Sequence, residues 1–338
     1  MSIHQNTVGS KPVGSKHCVV CGSEAIPYMQ HPGVGSFLKC RCGLIFQDPA
    51  EFLSEESTLT LAQSDNAEDL QANSEAFQRT FSESIDTSDE SGNMYADHGI
   101  QHQKMVDGIC SELVATLTDH AQFDFNRPFS VLDVGCATGF LLDALRKRFP
   151  TARVAGVEPS PVSGNKAKKL YGLDIHVGTM NTFPKPSSPF DLVTILGNLQ
   201  LHENPFRTLS QAAENLVQGG VLVCQFKNPY CTARVLSRTM TKTPWVKDSK
   251  ITRLMLERGF ACMRHSGSKQ ALKSAIETTG LQVIHTRTLP PRMAVYSDMA
   301  QAHASGIKGR IWKFLNHVDR ILDQQAWIEF VCRKQAVG

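Results

Sequence analysis

No stretch of this sequence approaches the ~18–20 consecutive apolar residues that a membrane-crossing helix requires. The N-terminus, Met1 to Lys16, has no apolar core of the kind a secretory leader carries; it is polar and rich in Gly, Ser and Lys. The expectation is a cytoplasmic protein with no membrane partner. Internal repeats are missing, and there is no low-complexity tract beyond one acidic strip. That strip nearly lacks basic residues: positions 51–100 hold twelve acidic side chains and one arginine, Arg79, a net of −11. Overall charge is almost absent at +3, from 35 basic and 32 acidic residues, but the small total hides the strip. Residues 101–338 are basic, with 30 basic against 18 acidic side chains, a net of +12. An acidic strip joined to a basic body favours an anionic partner, which the total alone would conceal.

The chain contains 338 residues, 41% of them hydrophobic, enough for one large domain and a small appendage. Four regions follow from composition. Residues 1–15 read as a disordered tail, 16–50 as a cysteine-bearing ribbon-like segment, and 51–94 as an acidic linker with some apolar spacing between Leu59 and Phe81. Residues 95–338 read as an α/β domain. Helical spacing of Met105, Ile109, Leu113 and Leu117 predicts a helix over 101–119, and further helices are predicted over 139–148, 161–171, 204–217, 268–278 and 307–322. Extended stretches are predicted over 129–134, 154–158, 173–177, 190–196, 221–226, 281–288 and 326–332. The alternation predicts a mostly parallel, Rossmann-like sheet with helices on both faces.

The most informative stretch is Val131-Leu132-Asp133-Val134-Gly135-Cys136-Ala137-Thr138-Gly139. A strand runs into a glycine turn and then a helix. Glycines allow the backbone to approach a ligand, and the helix start offers free N–H groups. Glu158 ends the following strand, where a carboxylate can bind both hydroxyls of a ribose. A glycine turn followed some 20 positions later by an acidic residue is the logic of an adenosine-type cofactor site.

This run resembles the first motif of the class I S-adenosylmethionine-dependent methyltransferases. Gly156-Val157-Glu158-Pro159-Ser160 resembles their second strand and Phe190-Asp191-Leu192-Val193 their fourth. Leu201-His202-Glu203-Asn204-Pro205 and the later Gly219-Gly220 resemble the loop and turn around the next helix. The resemblance implies that S-adenosylmethionine is the cofactor. Gly135 and Gly139 would bring the backbone against its methionine and ribose portions, Asp133 would sit by the amino group, and Glu158 would hold the ribose. Thr179 and Met180 would flank the adenine, and Asn198 would lie near the sulfonium end. Many family members carry Asp where this chain has Thr179. The family often has Leu-Glu-His where this chain has Gln200-Leu201-His202.

Ten cysteines in a chain without a leader point to metal binding or packing rather than disulfides. Cys18 and Cys21 flank a tight turn before Gly22, and Cys40 and Cys42 precede Gly43. Four thiolates at ~2.3 Å would make a closed structural zinc site, whose metal would supply most of the folding free energy of so short a segment. His17 and His31 are reserve ligands. The second pair is Cys-x-Cys rather than Cys-x-x-Cys. Cys110, Cys136, Cys224, Cys231, Cys262 and Cys332 read as small buried hydrophobes. A cysteine-pair ribbon ending in Cys42-Gly-Leu-Ile-Phe-x-x-Pro49 resembles the head of one group of these methyltransferases, a group that includes enzymes acting on sugars and glycans.

A base is needed only if the acceptor must lose a proton near the transition state. His202 is the candidate, its alternative being a structural role at the next helix. Glu203, Tyr230 and His265 are weaker candidates. Acceptor-side inserts are expected at about 227–273 and 290–323. The first carries eleven basic and two acidic residues, a net of +9. Lys227, Tyr230, Arg234 and Arg238 are its substrate candidates, against the alternative of a solvated basic face. The 307–322 helix is amphipathic and reads as core-facing, or else as an oligomer surface. The function expected is methyl transfer to a small, anionic acceptor such as a sugar nucleotide or glycan precursor. The alternatives are an RNA methyltransferase, which the acidic strip speaks against, and a cofactor-binding scaffold without turnover.

Overall fold

Strand β4 (Ser130–Val134) is buried at every position and anchors a seven-stranded sheet. The computed structural model describes residues 16–31, 35–49, 99–247, 249, 252, 263–290 and 307–335. The expected tail over 1–15, the linker over 51–94 and Cys262 lie outside these residues. The sheet contains β4, β5 (Arg153–Glu158), β6 (Asp174–Val177), β7 (Phe190–Ile195), β8 (Leu216–Lys227), β10 (Leu281–Leu289) and β11 (Trp327–Lys334). Its order is β10-β11-β8-β7-β4-β5-β6, with β11 antiparallel to both neighbours and β6, β5, β4, β7 and β8 parallel. Strand order reverses at β4. Ligands of such sheets bind outside the carboxyl ends at that point.

Helices cover both faces. Helices α1 (Gly99–Ala121), α2 (Phe140–Arg148) and α3 (Pro161–Tyr171) precede β4, β5 and β6 in turn. Helix α4 (Pro205–Glu214) precedes β8, and α5 (Thr232–Thr241) follows it. Helix α6 (Lys269–Glu277) precedes β10 and α7 (Ile307–Ile321) precedes β11. Local sequence sets the boundaries. In α3, Ser160 caps the amide of Ser163, Pro161 opens the helix, and Gly172 closes it in the left-handed region. In α4, Asn204 caps the amide of Arg207 and Pro205 opens the helix, which fixes the preceding His202 loop. One face buries Leu113, Leu117 and Leu145 against Val131, Val221 and Val223. The other buries Phe206, Leu209, Leu272 and Ile276 against Leu132, Val193, Phe226 and Phe330.

The N-terminal ribbon is part of the same body. Strands β1 (Ile26–His31), β2 (Gly35–Lys39) and β3 (Leu44–Gln47) form an antiparallel meander. Strand β3 then pairs with β9 (His265–Gly267), matching Leu44 with Gly267 and Phe46 with His265. Leu38, Leu44 and Phe46 share one buried cluster with Phe226 and Leu272.

Three expectations are corrected. The helix predicted over 204–217 stops at Glu214, and β8 begins already at Leu216. Gly219 and Gly220 lie where the β7–β8 register shifts, between the Phe190–Leu216 and Leu192–Val221 pairs, so they mark an irregularity in the strand. Helix α5 and strand β9 were not read from the sequence. The apolar stripe of α7 is only partly inward: Leu315 is buried, while Phe314, Ile321 and Leu322 are exposed. The buried polar residue on that helix, Asp319, accepts both the amide and the hydroxyl of Thr232 at 2.6 Å and so caps α5.

Candidate active site

The glycine turn leaves β4 at the strand-order reversal. Gly135 and Gly139 have φ of 75° and 81°, and Ala137 has φ of 50°. A Cβ on Gly135 would fall 2.0 Å from Asn198 Nδ2. Asn198, just beyond β7, donates that amide to the Val134 carbonyl (2.8 Å) and the Gly135 carbonyl (3.2 Å). Its Oδ1 is buried without a partner, as is the Thr138 hydroxyl. A Cβ on Gly139 would instead meet Leu173 Cδ1 at 2.5 Å and Ala167 Cβ at 3.1 Å, so this glycine also serves the packing of α2 against α3 and β6.

Two carboxylates back the turn. Glu158 accepts the amides of Ala137 at 2.8 Å and Ser160 at 2.9 Å. Burial pushes its carboxyl up to about 7, against the lowering effect of those amides, and the nearby Asp133 adds to the rise. Asp133 accepts the Thr194 hydroxyl at 2.7 Å, and burial pushes it up to about 6. The ends of β4 and β5 therefore carry two buried carboxylates set beside a glycine turn that the Asn198 side chain covers at Gly135. Thr194, Ala137 and Ser160, which orient them, carried no signal in the sequence: any hydroxyl on β7 or any turn amide could have served.

Thr179 lies after β6 in a turn closed by Thr182, whose hydroxyl accepts the Thr179 amide at 3.1 Å. Met180 is buried in the core beneath it, so any contact it makes with a ligand comes from its backbone rather than its side chain. His202 follows the short 3-10 turn Leu199–Leu201, and its Nδ1 lies 3.0 Å from the Thr208 hydroxyl on α4. Burial, with the Arg264 cation second, lowers its pKa to about 4, so the ring is neutral above pH 5. His265 is likewise lowered to about 4 by burial, and it donates Nε2 to the Glu203 carbonyl at 2.8 Å. That bond ties β9 to the His202 loop, so His265 has a structural task.

The four substrate candidates do not form one group. Arg234 is buried and donates Nη1 to the carbonyls of Asn228 at 2.6 Å and Ala326 at 2.9 Å, fastening α5 to the β8 and β11 ends. It therefore holds the framework instead of facing a substrate. Arg234→Met should cost about 2–4 kcal/mol, because two buried carbonyls lose a charged donor; thermal denaturation reads this directly. Lys227 is buried with its ammonium 5.9 Å from the Trp327 ring centroid. Tyr230 and Arg238 lie instead toward the ribbon, where Tyr230 packs against Phe37, Ile45 and Met263. A separate cleft at the β8–β11 ends is lined by Leu113, Leu196, Gln225, Arg287, Trp327 and Glu329. Within it Gln225 Oε1 and Trp327 Nε1 are buried without partners.

Cys18, Cys21, Cys40 and Cys42 converge, with all four sulfurs within 4.8 Å of one another. Cys18 and Cys42 are 3.7 Å apart and Cys21 and Cys40 are 3.3 Å apart. Thiolates at ~2.3 Å from a tetrahedral zinc stand roughly 3.8 Å apart, so this donor set fits that metal. His17 is outside the cluster, bridging Glu24 in the backbone, and the His31 side chain lies outside the described residues. Cys110, Cys136, Cys224, Cys231 and Cys332 are buried, as expected for packing residues.

Residues 131–220 match the model of a family described as a methyltransferase domain. The chain is 30% identical over 105 residues to trans-aconitate 2-methyltransferase of Streptomyces avermitilis, covering 29% of this chain and 39% of that one. It is 27% identical over 122 residues to malonyl-[acyl-carrier protein] O-methyltransferase of Acetivibrio thermocellus, covering 34% and 41%. It is 33% identical over 112 residues to ribosomal RNA small subunit methyltransferase C of Salmonella choleraesuis, covering 32% and 30%. The chain thus spans less than half the length of these curated relatives. Among solved structures it is similar to the plantazolicin methyltransferase BpumL in complex with SAH (16% identity, 73% and 94% covered, TM-score 0.43). It is also similar to the amino pentose methyltransferase CalS10 of Micromonospora echinaspora (28% identity, 35% and 50% covered, TM-score 0.31). Residues 131–220, which carry the glycine turn and match the methyltransferase-domain model, lie within a Rossmann-like seven-stranded sheet.

Proposed function

We propose that this protein transfers a methyl group from S-adenosylmethionine to a small anionic acceptor of the sugar-nucleotide or glycan-precursor kind. The observation that carries the reading is the glycine turn at Gly135, over which the Asn198 side chain lies. Beside it stand the carboxyl groups of Asp133 and Glu158 and the partnerless Oδ1 of Asn198, at the point where strand order reverses. Bound there, the cofactor supplies a sulfonium methyl already activated for displacement. Asp133 would hold its ammonium end, Asn198 would lie near the sulfonium end, Glu158 would hold the ribose, and Thr179 with the Met180 backbone the adenine. Gly135 and Gly139 supply the left-handed backbone that the turn needs. The four cysteines would hold a structural zinc that stabilises the ribbon and supplies no step of the reaction.

The chain's task is then to hold a nucleophile in line and, where needed, to take its proton. His202 is our candidate for the second part, and the burial that keeps its ring neutral also makes it a weak base. Its ring is neutral, and when Nδ1 donates to the Thr208 hydroxyl its Nε2 is left as a proton acceptor. His202→Ala should lower kcat by about 100-fold, within the usual range for a general base, while cofactor affinity stays unchanged. The acid limb of the wild-type kcat profile, at saturating cofactor, should lie below pH 5 rather than near 6.5. Transfer of label from the cofactor methyl into a panel of phosphorylated sugars and sugar nucleotides reads both. Full turnover by the His202→Ala protein removes that residue from the mechanism. Label entering RNA but no small acceptor overturns the acceptor reading.

A further inference from the structure

One cluster of charge has no place in the cofactor site. It lies where the ribbon meets the body. Lys39, at the end of β2, places its ammonium 5.4 Å from the Tyr28 ring centroid and 6.0 Å from that of Tyr230. Arg238, on α5, places its guanidinium carbon 5.0 Å from the same Tyr28 ring. Two cations thus share one aromatic ring. Among the described residues, no carboxylate forms an ion pair with either of them. Arg238 Nη1 and the Tyr28 hydroxyl are both buried and both lack a hydrogen-bond partner.

Cation–π contacts return only about 0.5–2 kcal/mol and satisfy no N–H. A half-buried guanidinium with an idle donor, a second cation against the same ring and an idle phenol hydroxyl on that ring together leave the hydrogen bonding of this cluster incomplete. The missing partner must be negative, must accept from several directions, and must be small enough for the seam. A tetrahedral phosphate meets all three needs, since charge-assisted bonds from Arg, Lys and a hydroxyl are its usual ligands. The cluster is also supplied from three places in the chain: β1 and β2 of the ribbon, and the segment that follows β8. That segment begins at Lys227 and Asn228, on the carboxyl side of the sheet where the methyl would be delivered.

We propose that Tyr28, Lys39, Tyr230 and Arg238 form a phosphate site at the ribbon–body seam, and that it anchors a phosphate of the methyl acceptor. This rests on the methyl-transfer reading for the acceptor's role, and on geometry alone for the phosphate. The ribbon then has a recognition task beyond its own folding. It closes one wall of the acceptor site, and the β3–β9 pairing fixes that wall against the body.

The test is calorimetry on zinc-loaded full-length protein with inorganic phosphate and pyrophosphate as probes. Wild type should bind pyrophosphate more tightly than phosphate. Arg238→Gln and Lys39→Gln should each weaken binding about tenfold or more, since each removes a charged donor. Tyr28→Phe, which keeps the ring, should weaken it a few-fold. Lys185→Gln, an exposed lysine outside the cluster, should change nothing. Zinc content and cofactor affinity equal to wild type establish that each variant is folded. With a phosphorylated acceptor, Arg238→Gln should raise KM about tenfold and leave kcat unchanged. No binding to wild type at millimolar probe, or equal binding by all variants, overturns the site. Weakened probe binding with an unchanged KM overturns its assignment to the acceptor. Loss of probe binding in a protein that still binds S-adenosylmethionine counts against this proposal alone. Probe binding in a protein that does not bind the cofactor counts against the methyl-transfer reading alone.

Discussion

Chelation is expected to release about one zinc per chain and to lower the thermal midpoint by on the order of 10 °C. The ribbon strands are four to six residues each, too short to fold on their own burial. Structural zinc sites in small modules contribute roughly 10–16 kcal/mol, more than such a segment needs, so without metal the ribbon loses its order. Burial pushes the Cys42 thiol up to about 11 and raises Cys18 further, so the metal has to displace these protons. The consequence spreads because the ribbon shares its core with the body. Unfolding it strips Leu38, Leu44 and Phe46 from Phe226 and Leu272, at about 1.5–3 kcal/mol per large side chain, and it removes the partner of β9. Cys40→Ser should reproduce the effect. A purified protein with no zinc by elemental analysis and four titratable thiols in residues 18–42 would overturn this account of the ribbon.

The second large effect is in the pH dependence of cofactor binding. Burial raises Glu158 to about 7 and Asp133 to about 6, so in the free protein both carboxyls hold protons that the unfolded chain releases earlier. Their contribution to stability is fully present below the unfolded carboxyl pKa and is lost as pH rises through about 6 and then 7. Cofactor binding runs the other way. On the proposed reading, ribose hydroxyls would donate to an ionised Glu158 and an ammonium would favour an ionised Asp133, so binding would release protons. Affinity for S-adenosylmethionine should therefore be roughly tenfold weaker at pH 6 than at pH 8. Glu158→Gln should bind some 10–100-fold more weakly at pH 8, having lost charge-assisted bonds to both hydroxyls, and most of its pH dependence should vanish. Calorimetry in buffers of differing ionisation enthalpy counts the protons directly. Equal affinity at pH 6 and 8 with no proton release would contradict this role for Glu158.

Much of this site was legible because its chemistry is local in the chain. Asp133, Gly135, Gly139 and Glu158 lie on one strand–turn–helix–strand unit, where spacing alone brings the residues together. The cysteines were legible for the same reason: two tight turns bring the sulfurs of both pairs into one cluster. What the sequence concealed is long-range. Strand β9 has three residues, too few to show a period, yet it carries the junction of ribbon and body. Arg234 and Arg238 are four residues apart on one helix, and nothing in the sequence separates them. The structure buries the first against two carbonyls and turns the second toward a tyrosine ring 5.0 Å away. Basic residues counted as one patch thus divide into a framework clamp and a ligand candidate. The Gly219-Gly220 pair read as a helix terminus because glycine ends helices more often than it interrupts strands.

The cofactor site is probed by calorimetric titration of zinc-loaded protein with S-adenosylmethionine at pH 8, for wild type and Glu158→Ala in parallel. Wild type should bind one cofactor per chain and the variant at least tenfold more weakly, with the variant's fold checked separately by thermal denaturation because the Ala137 and Ser160 amides lose their acceptor. No binding by wild type at millimolar cofactor, or equal affinity in the two proteins, would contradict this cofactor site.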